Sequence, residues 1–215
     1  MFFHSTPSTA RLNAACSPTH LALRADGTAG DPWGRRVIFL HPGKGAWWRL
    51  LHRVPSGQEW MTVPAAGGAL RPLLVERNGR KPVLVAGAVT AAAALGVALD
   101  HPEAVGGVMI VDDVGADSPL RRRLAALAEW LGLPVDRHGL GGLESELPAL
   151  RVPVTLIQGT APAGILATLE NGLTGCRTLT VVAVPDTGAV RPRTNAPELR
   201  TALAALIVAV ERVRM

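Results

Sequence analysis

Five short, unbroken apolar runs constrain the fold of this 215-residue chain more than any other feature. They cover residues 37–40, 83–85, 108–111, 154–157 and 179–184, and residues 60–63 form a weaker sixth. Runs that are apolar throughout, without polar alternation, are typical of strands covered on both faces, as in a parallel sheet. We therefore expect a buried, mostly parallel sheet.

Helical patterns lie between these runs. Residues 91–99 are rich in helix formers, leucines in 120–131 repeat at helical spacing, and residues 199–213 carry one apolar stripe. Strands that alternate with helices predict an α/β domain with a mostly parallel central sheet and helices on both faces. The length suits one domain over residues 21–215, with a short edge strand at 21–24 and a loose leader at 1–20.

Charge and cysteine content exclude several classes of function. The net charge is +5, but the basic residues are scattered, and the densest group, Arg121–Arg123, falls on one predicted helix. This predicts a solvated helix face and no nucleic-acid partner. Cys16 and Cys176 lack the paired spacing of a zinc site, so we expect no metal. A reduced, cytoplasmic protein is the expectation and a disulfide is the alternative. We also expect no cofactor.

The membrane question arises at residues 83–99, which carry no charge. This stretch is rich in alanine and contains Gly87, Thr90 and Gly96, which favours a buried strand that runs into a packed helix. Residues 1–20 lack a basic region followed by an apolar stretch, so the sequence predicts neither a signal peptide nor a membrane partner.

Two segments carry a resemblance to a known family. Residues 37–49 read Val-Ile-Phe-Leu-His-Pro-Gly-Lys-Gly-Ala-Trp-Trp-Arg, which resembles the α/β-hydrolase strand and the oxyanion loop after it. Residues 83–113 are similar to that superfamily's nucleophile strand, elbow, helix, Asp-His-Pro-Glu turn and next strand. The resemblance covers about 21–115 and 150–213, and it implies the fold of that superfamily with a minimal cap at about 114–150.

The resemblance also implies that the catalytic triad is lost. The family's Gly-x-Ser-x-Gly elbow places its serine at Ala88, counted back from the Asp100-His101-Pro102 turn. Ala161-Pro162 stands where the acid follows its strand, and Ala189 where the histidine follows the last strand. A methyl group cannot attack a carbonyl. We therefore expect a degenerate member that does not hydrolyse esters or amides through the usual triad.

The remaining polar residues near the old site define the candidate chemistry. Ligands in such folds bind at the carboxyl ends of the strands. His41, Lys44 and Asp112 are the candidate catalytic residues, as an acid or base, an anion stabiliser and a general base. Their plainer alternatives are packing beneath the loop, a solvent-facing lysine and a helix cap. The predicted pocket-lining residues are Trp47, Trp48, Ala88, Val89, Thr90, Asp113 and Ala189.

Three functions remain open at this point. The first is a non-hydrolytic enzyme, such as a cyclase, lyase or isomerase, that orients a small, largely apolar metabolite in the old pocket, in a setting of bacterial specialised metabolism. The second is a non-catalytic pseudoenzyme that binds a ligand, a protein partner or a second copy of itself. The third is a hydrolase with a relocated catalytic constellation, for example Asp112 activating water.

Overall fold

A computed structural model describes residues 28–41, 57–65, 70–76, 78–113, 140, 142–160, 164–185, 190 and 195–212. Within these ranges the chain forms seven strands and three α-helices. The strands are β1 Thr28–Gly30, β2 Arg35–His41, β3 Gln58–Pro64, β4 Val83–Gly87, β5 Gly107–Val111, β6 Val154–Gln158 and β7 Leu179–Ala183. The helices are α1 Ala91–Asp100, α2 Gly164–Gly172 and α3 Ala196–Arg212.

All seven strands belong to one sheet in the order β1-β3-β2-β4-β5-β6-β7. Only β1 runs antiparallel to its neighbour β3, and every other adjacent pair is parallel. The six apolar runs of the sequence correspond to β2–β7. The predicted mostly parallel α/β architecture is therefore confirmed.

Successive residues of the central strands face opposite sides of the sheet, because side chains alternate along a strand. In β2, Ile38 and Leu40 pack with α1 and α2, whereas Val37 and Phe39 pack with α3. The same alternation holds in β4 and β5. Both faces of the sheet are thus covered by helices, as the unbroken apolar runs predict.

A buried ion pair fixes the start of β2 against β3. Arg36 and Glu59 are directly paired across the two strands, and the guanidinium Nε lies 2.7 Å from the carboxylate Oε2. Arg36 Nη1 also donates to the carbonyl of Leu73 at 3.1 Å. A buried pair of this kind is costly to break from one side, so it holds the register of the two strands.

Some elements depart from the sequence expectations. The short strand β1 and helix α2 are not among the predicted elements. Two 3₁₀ turns, Leu143–Ser145 and Leu147–Ala149, occupy the end of the predicted cap, and Leu147 is fully buried in the same core cluster as α1 and α2. This part of the cap packs on the domain. The leader, the strand at 21–24 and the helix at 120–131 lie outside the described residues.

Candidate functional site

The site lies where the strand order of the sheet reverses. Strand β2 lies between β3 and β4 in the sheet. The chain runs from β2 to β3 on one side and from β4 to β5 on the other, so the connections that follow β2 and β4 leave in opposite directions. Such a switch point opens a crevice at the carboxyl ends of the two strands, where α/β proteins bind ligands. His41 ends β2, Gly87 ends β4, and Val111, paired with Gly87, ends β5.

The turn after β4 differs from the elbow that presents a nucleophile. A single 3₁₀ turn, Ala88–Thr90, leads from β4 into α1. A nucleophile elbow is a sharp, strained turn, but among the described non-glycine residues only Asn78 has a positive φ. The turn is therefore relaxed, as the alanine in place of glycine predicts.

The side chains of this turn point in different directions. Ala88, the predicted serine position, is fully buried in the core cluster, whereas Val89 is 55% exposed. Val89 is therefore the exposed residue of the turn. It lies one residue after Ala88, the position at which the sequence alignment places the serine. Both side chains are hydrocarbon, so neither register supplies a nucleophile.

Thr90 has the only hydroxyl of the turn, and that hydroxyl is used within the fold. The Gly87 N–H donates to Thr90 Oγ1 at 3.0 Å. The hydroxyl in turn lies 3.2 Å from the Gly87 carbonyl and 3.3 Å from the Leu40 carbonyl, either of which can accept its proton. Thr90 is 3% exposed. It ties the end of β2 to the turn, and its predicted place in the pocket lining stays a prediction.

Asp113 bends back over the turn and covers its first residue. The Ala88 N–H donates to Asp113 Oδ1 at 3.1 Å. The carboxylate lies so close to Gly87 that a Cβ added there would be 2.7 Å from Asp113 Cγ. Glycine is therefore needed at residue 87 for close approach, although its φ of −82° is ordinary. The same hydrogen bond caps the helical segment that starts at residue 88.

Burial raises the pKa of the Asp113 carboxyl from its ordinary value of 3.8 to about 6. The hydrogen bonds from the amides of Ala88 and of Asp113 itself oppose this shift, and the neighbouring charge of Asp112 adds to it. A carboxyl group that titrates near pH 6 can both take and return a proton close to neutral pH.

Asp112 is the general base that the sequence predicts, and its environment differs from that of Asp113. Its side chain is fully buried. Its backbone N–H donates to the Ile157 carbonyl at 2.8 Å, and its carbonyl accepts from the Val190 N–H at 2.8 Å. Asp112 thus joins β5 to β6 and to the segment after β7. Its catalytic role stays a prediction, and of these two adjacent aspartates Asp113 is the one that is partly exposed.

His41 is the last residue of β2, on the strand next to β4. Its carbonyl accepts from the Ala65 N–H at 3.0 Å, which continues the pairing of β2 with β3. Within the described part of the chain, its buried Nδ1 has no hydrogen-bond partner. His41 follows Leu40, whose carbonyl lies 3.3 Å from the Thr90 hydroxyl in the turn to which Asp113 is also bonded.

Several predicted residues lie outside the described ranges. These are Lys44, Trp47, Trp48, Ala161, Pro162 and Ala189, and their roles stay predictions. In the described ranges, His, Cys, Asp and Glu side chains form no group of three or more that would suit a metal ion. None of the helices in those ranges has the length and apolar character that a membrane span requires.

No protein-family model matches this sequence, and no curated protein matches it either. Solved structures do match. The monoacylglycerol lipase of Paleococcus ferrophilus superposes with a TM-score of 0.59 at 17% identity, over 85% of this chain and 97% of the lipase chain. MGS-MChE2, an alpha/beta hydrolase enzyme from the metagenome of lagoon sediments of Mar Chica, Morocco, gives 0.59 at 14% identity, over 89% and 99%.

MenH from S. aureus is a third match, with a TM-score of 0.57 at 11% identity, over 90% of this chain and 99% of MenH. Structural matches at sequence identities this low indicate a shared fold and give no evidence of a shared activity. The sheet order, the helices on both faces and these superpositions agree. The chain therefore has the α/β-hydrolase fold.

Proposed function

We propose that this protein is a non-hydrolytic enzyme of the lyase, isomerase or cyclase type. It would bind a small, largely apolar metabolite in the crevice between β2 and β4 and transfer a proton through Asp113. One observation carries this proposal. The Asp113 carboxylate is held over the strand-to-helix turn at the switch point of the sheet, bonded to the Ala88 N–H at 3.1 Å.

Acyl-enzyme chemistry lacks a nucleophile in this turn. Ala88 and Val89 are hydrocarbon, and the Thr90 hydroxyl is engaged with Gly87 and Leu40. The sequence counts also give Ala161-Pro162 and Ala189 at the acid and histidine positions. Because a triad works as a unit, a turn without its nucleophile favours chemistry that needs none.

Proton transfer fits what the turn does contain. With a pKa of about 6, Asp113 is about tenfold more ionised than protonated at pH 7, so it is ready to act as a base. The conjugate acid formed after proton abstraction can then return the proton elsewhere on the ligand, which is the net change in an isomerisation. His41, whose buried Nδ1 has no partner in the described part of the chain, supplies a second polar group on the β2 side.

A ligand-binding protein without catalysis is the second candidate. The specific observation in its favour is that Asp113 already caps the segment that begins at Ala88, a role that needs no reaction. The 55% exposed Val89 would then serve as an apolar contact for the ligand. In this case Asp113→Asn would leave binding in place and there would be no activity to lose.

Hydrogen–deuterium exchange at carbon distinguishes the two candidates without knowledge of the product. A panel of small apolar ketones, β-keto esters and enones is incubated with the protein in D₂O, and loss of the proton adjacent to the carbonyl is followed by NMR. We expect exchange on at least one scaffold, lowered by 100-fold or more in Asp113→Asn. The matched control Asp100→Asn alters an exposed carboxylate at the other end of α1 and should keep full activity.

Two results would count against proton transfer by Asp113. Exchange at the wild-type rate in Asp113→Asn would remove the residue from the chemistry, and no exchange on any scaffold would favour the binding protein. Turnover of p-nitrophenyl esters, which we expect to be absent, would instead indicate a hydrolase with a relocated constellation.

A further inference from the structure

A cavity with a volume of about 460 Å³ lies at the end of the sheet opposite the Asp113 turn. It is lined by residues that precede β4, β5, β6 and β7, together with Val210 near the end of α3. Lys81 and Gly87 stand at the two ends of β4, so this cavity is about 20 Å from the Asp113 turn at the usual rise of a strand. It is therefore separate from the candidate active site.

Three of the residues that line this cavity are basic. Lys81 precedes β4, Arg151 precedes β6 and Arg177 precedes β7, and both arginines are exposed at the rim. The one carboxylate among the lining residues is Glu103, whose side chain is 74% exposed and lies 3.9 Å from His101 Nδ1. The lining thus carries a surplus of positive charge.

A hydrogen bond to the backbone holds the Arg151 guanidinium in place and uses one of its N–H donors. Its Nη1 donates to the Gly175 carbonyl at 3.0 Å, in the turn that also carries Arg177. A guanidinium has five N–H donors in a rigid fork, so one bond fixes the group and leaves others for an oxygen anion. Arg151 is therefore positioned at the rim of the cavity, where Arg177 adds a second positive charge.

The floor of the cavity is apolar. Val105, Val152 and Val210 line it and are 1–4% exposed, the buried Pro153 lies beside them, and the exposed Pro102 lines the cavity as well. A volume of about 460 Å³ falls within the range of small-molecule pockets. A free inorganic ion would leave this apolar floor uncovered, whereas a molecule with a hydrocarbon body would cover it and gain from burial.

We infer that this amino-end cavity binds a small molecule that carries one anionic group on an apolar body. The anion lies against Arg151, Arg177 and Lys81, and the hydrocarbon body lies on the valine floor. A carboxylate and a phosphate monoester share this chemistry. Neither the resemblance to hydrolases nor the proposed proton transfer assigns a ligand to this end of the sheet.

Fluorescence titration with 1-anilinonaphthalene-8-sulfonate tests the inference, because this probe has one sulfonate on an aromatic body. N-phenyl-1-naphthylamine, which lacks the sulfonate, is the neutral comparison. We expect the sulfonate to bind at least tenfold more tightly than the neutral compound. Octanoate and octyl phosphate should displace it and octanol should not, and the more effective of the two anions identifies the headgroup.

Charge-reversal variants locate the binding. Arg177→Glu should weaken binding of the sulfonate at least tenfold, and Arg151→Glu should do the same. Arg71→Glu makes the same change of charge at an exposed arginine outside the cavity and should alter the affinity less than twofold. In methyl NMR spectra, Val105, Val152 and Val210 should shift on titration, while Val89 at the other end of the sheet should not.

The basic residues have one simpler role, which the same experiment measures. Helices α1 and α3 end on this side, and cations near a helix C-terminus offset its partial negative charge. If that were their whole role, Arg177→Glu would lower the melting temperature and leave probe binding unchanged, which would overturn the inference. Absence of binding to the wild-type protein, or equal binding of the neutral compound, would overturn it as well.

Discussion

At the scale of single residues, Asp113 and Gly87 depend on each other. The carboxylate occupies the space beside the glycine and accepts a hydrogen bond from the next amide along the chain, that of Ala88. The position of the Asp113 carboxylate therefore depends on the absence of a side chain at Gly87 as much as on its hydrogen bond to the Ala88 amide. The three nearest atoms to a Cβ built at residue 87 all belong to Asp113.

We expect Gly87→Ala to lower the free energy of unfolding by about 1 to 3 kcal/mol, because the added methyl group pushes the carboxylate off the Ala88 amide. Urea denaturation measures the change. Gly96→Ala is the matched control, since a Cβ at that helical position meets only Leu143 Cδ1 at 3.8 Å. Alanine there should stabilise α1 by about 0.5 to 1 kcal/mol.

The coupling is tested by repeating Gly87→Ala in an Asp113→Ala background. With the carboxylate gone, most of the penalty should disappear. An equal penalty in both backgrounds would mean that Asp113 does not occupy the space beside residue 87.

The sequence names Asp112 as the candidate base, whereas the carboxylate that contacts the strand-to-helix turn is that of Asp113. Asp112 and Asp113 are adjacent, and neighbouring side chains at the end of a strand point to opposite sides. The Asp113 N–H donates back to the Val111 carbonyl at 2.9 Å, a local bend that has no signature in the sequence. Asp112 is buried next to this bend, and Asp113 is partly exposed.

At the scale of elements, Thr90 links β2, β4 and α1 near the site. Its hydroxyl accepts from the Gly87 N–H and lies within hydrogen-bond distance of the Leu40 carbonyl on the neighbouring strand. Both partners are backbone groups at the carboxyl edge of the sheet. The link holds the last residues of β2, including His41, against the turn.

Thr90→Val replaces this hydroxyl by a methyl group of similar volume and leaves the Gly87 amide without its acceptor. We expect a loss of about 1 to 3 kcal/mol in the free energy of unfolding. Hydrogen exchange by NMR should show faster exchange of the Gly87 amide. Thr90→Ser, which keeps the hydroxyl, should retain most of the protection, and an unchanged Gly87 amide in Thr90→Val would contradict the role given to Thr90.

Elements with a strong apolar signal can be predicted from this sequence, and those with a weak signal cannot. Strands β2–β7 follow from apolar runs, and α3 follows from a stripe that repeats at helical spacing. Strand β1 has three residues, Thr28–Gly30, and ends at a glycine with a φ of 91°, so it carries no apolar pattern. Helix α2 buries Ile165, Leu166 and Leu169, and this short stripe between Gly164 and Gly172 is too weak a pattern to predict a helix.

At the scale of the whole molecule, the two ends of the sheet have different chemistry. The carboxyl end of β4 carries the Asp113 turn, and the amino end of the same strand borders the basic cavity. The fold allows this because loops from successive parallel strands converge at each end. Function at either end depends on those loops and not on the fold, which is why the apolar pattern predicts the sheet and leaves the activity open.

The stability of the whole domain should depend on pH through Asp113. The pKa of Asp113 in the folded protein is raised from the ordinary 3.8 to about 6. Between about pH 4 and pH 6 this carboxyl is therefore protonated in the folded protein and ionised in the unfolded chain. Stability from this group is therefore fully present below pH 4 and is lost as the pH rises through 6. The unfolding free energy of the wild-type protein minus that of Asp113→Asn should be larger at pH 4 than at pH 7, by on the order of 2 kcal/mol.

Urea denaturation of the two proteins at pH 4, 5, 6 and 7 gives this difference directly, since the other titrating groups are common to both. A difference that does not change with pH would show that Asp113 titrates alike in the folded and unfolded states.

The proposed function requires that the group at the strand-to-helix turn be a partly buried acid and not a nucleophile. A ¹³C NMR titration of the Asp113 carboxyl carbon, assigned with Asp113→Asn, tests it most directly. We predict a midpoint at about pH 6, raised by burial. A midpoint at the ordinary value of 3.8 would contradict the claim, because such a carboxylate would be a helix cap with little capacity to exchange protons near neutral pH.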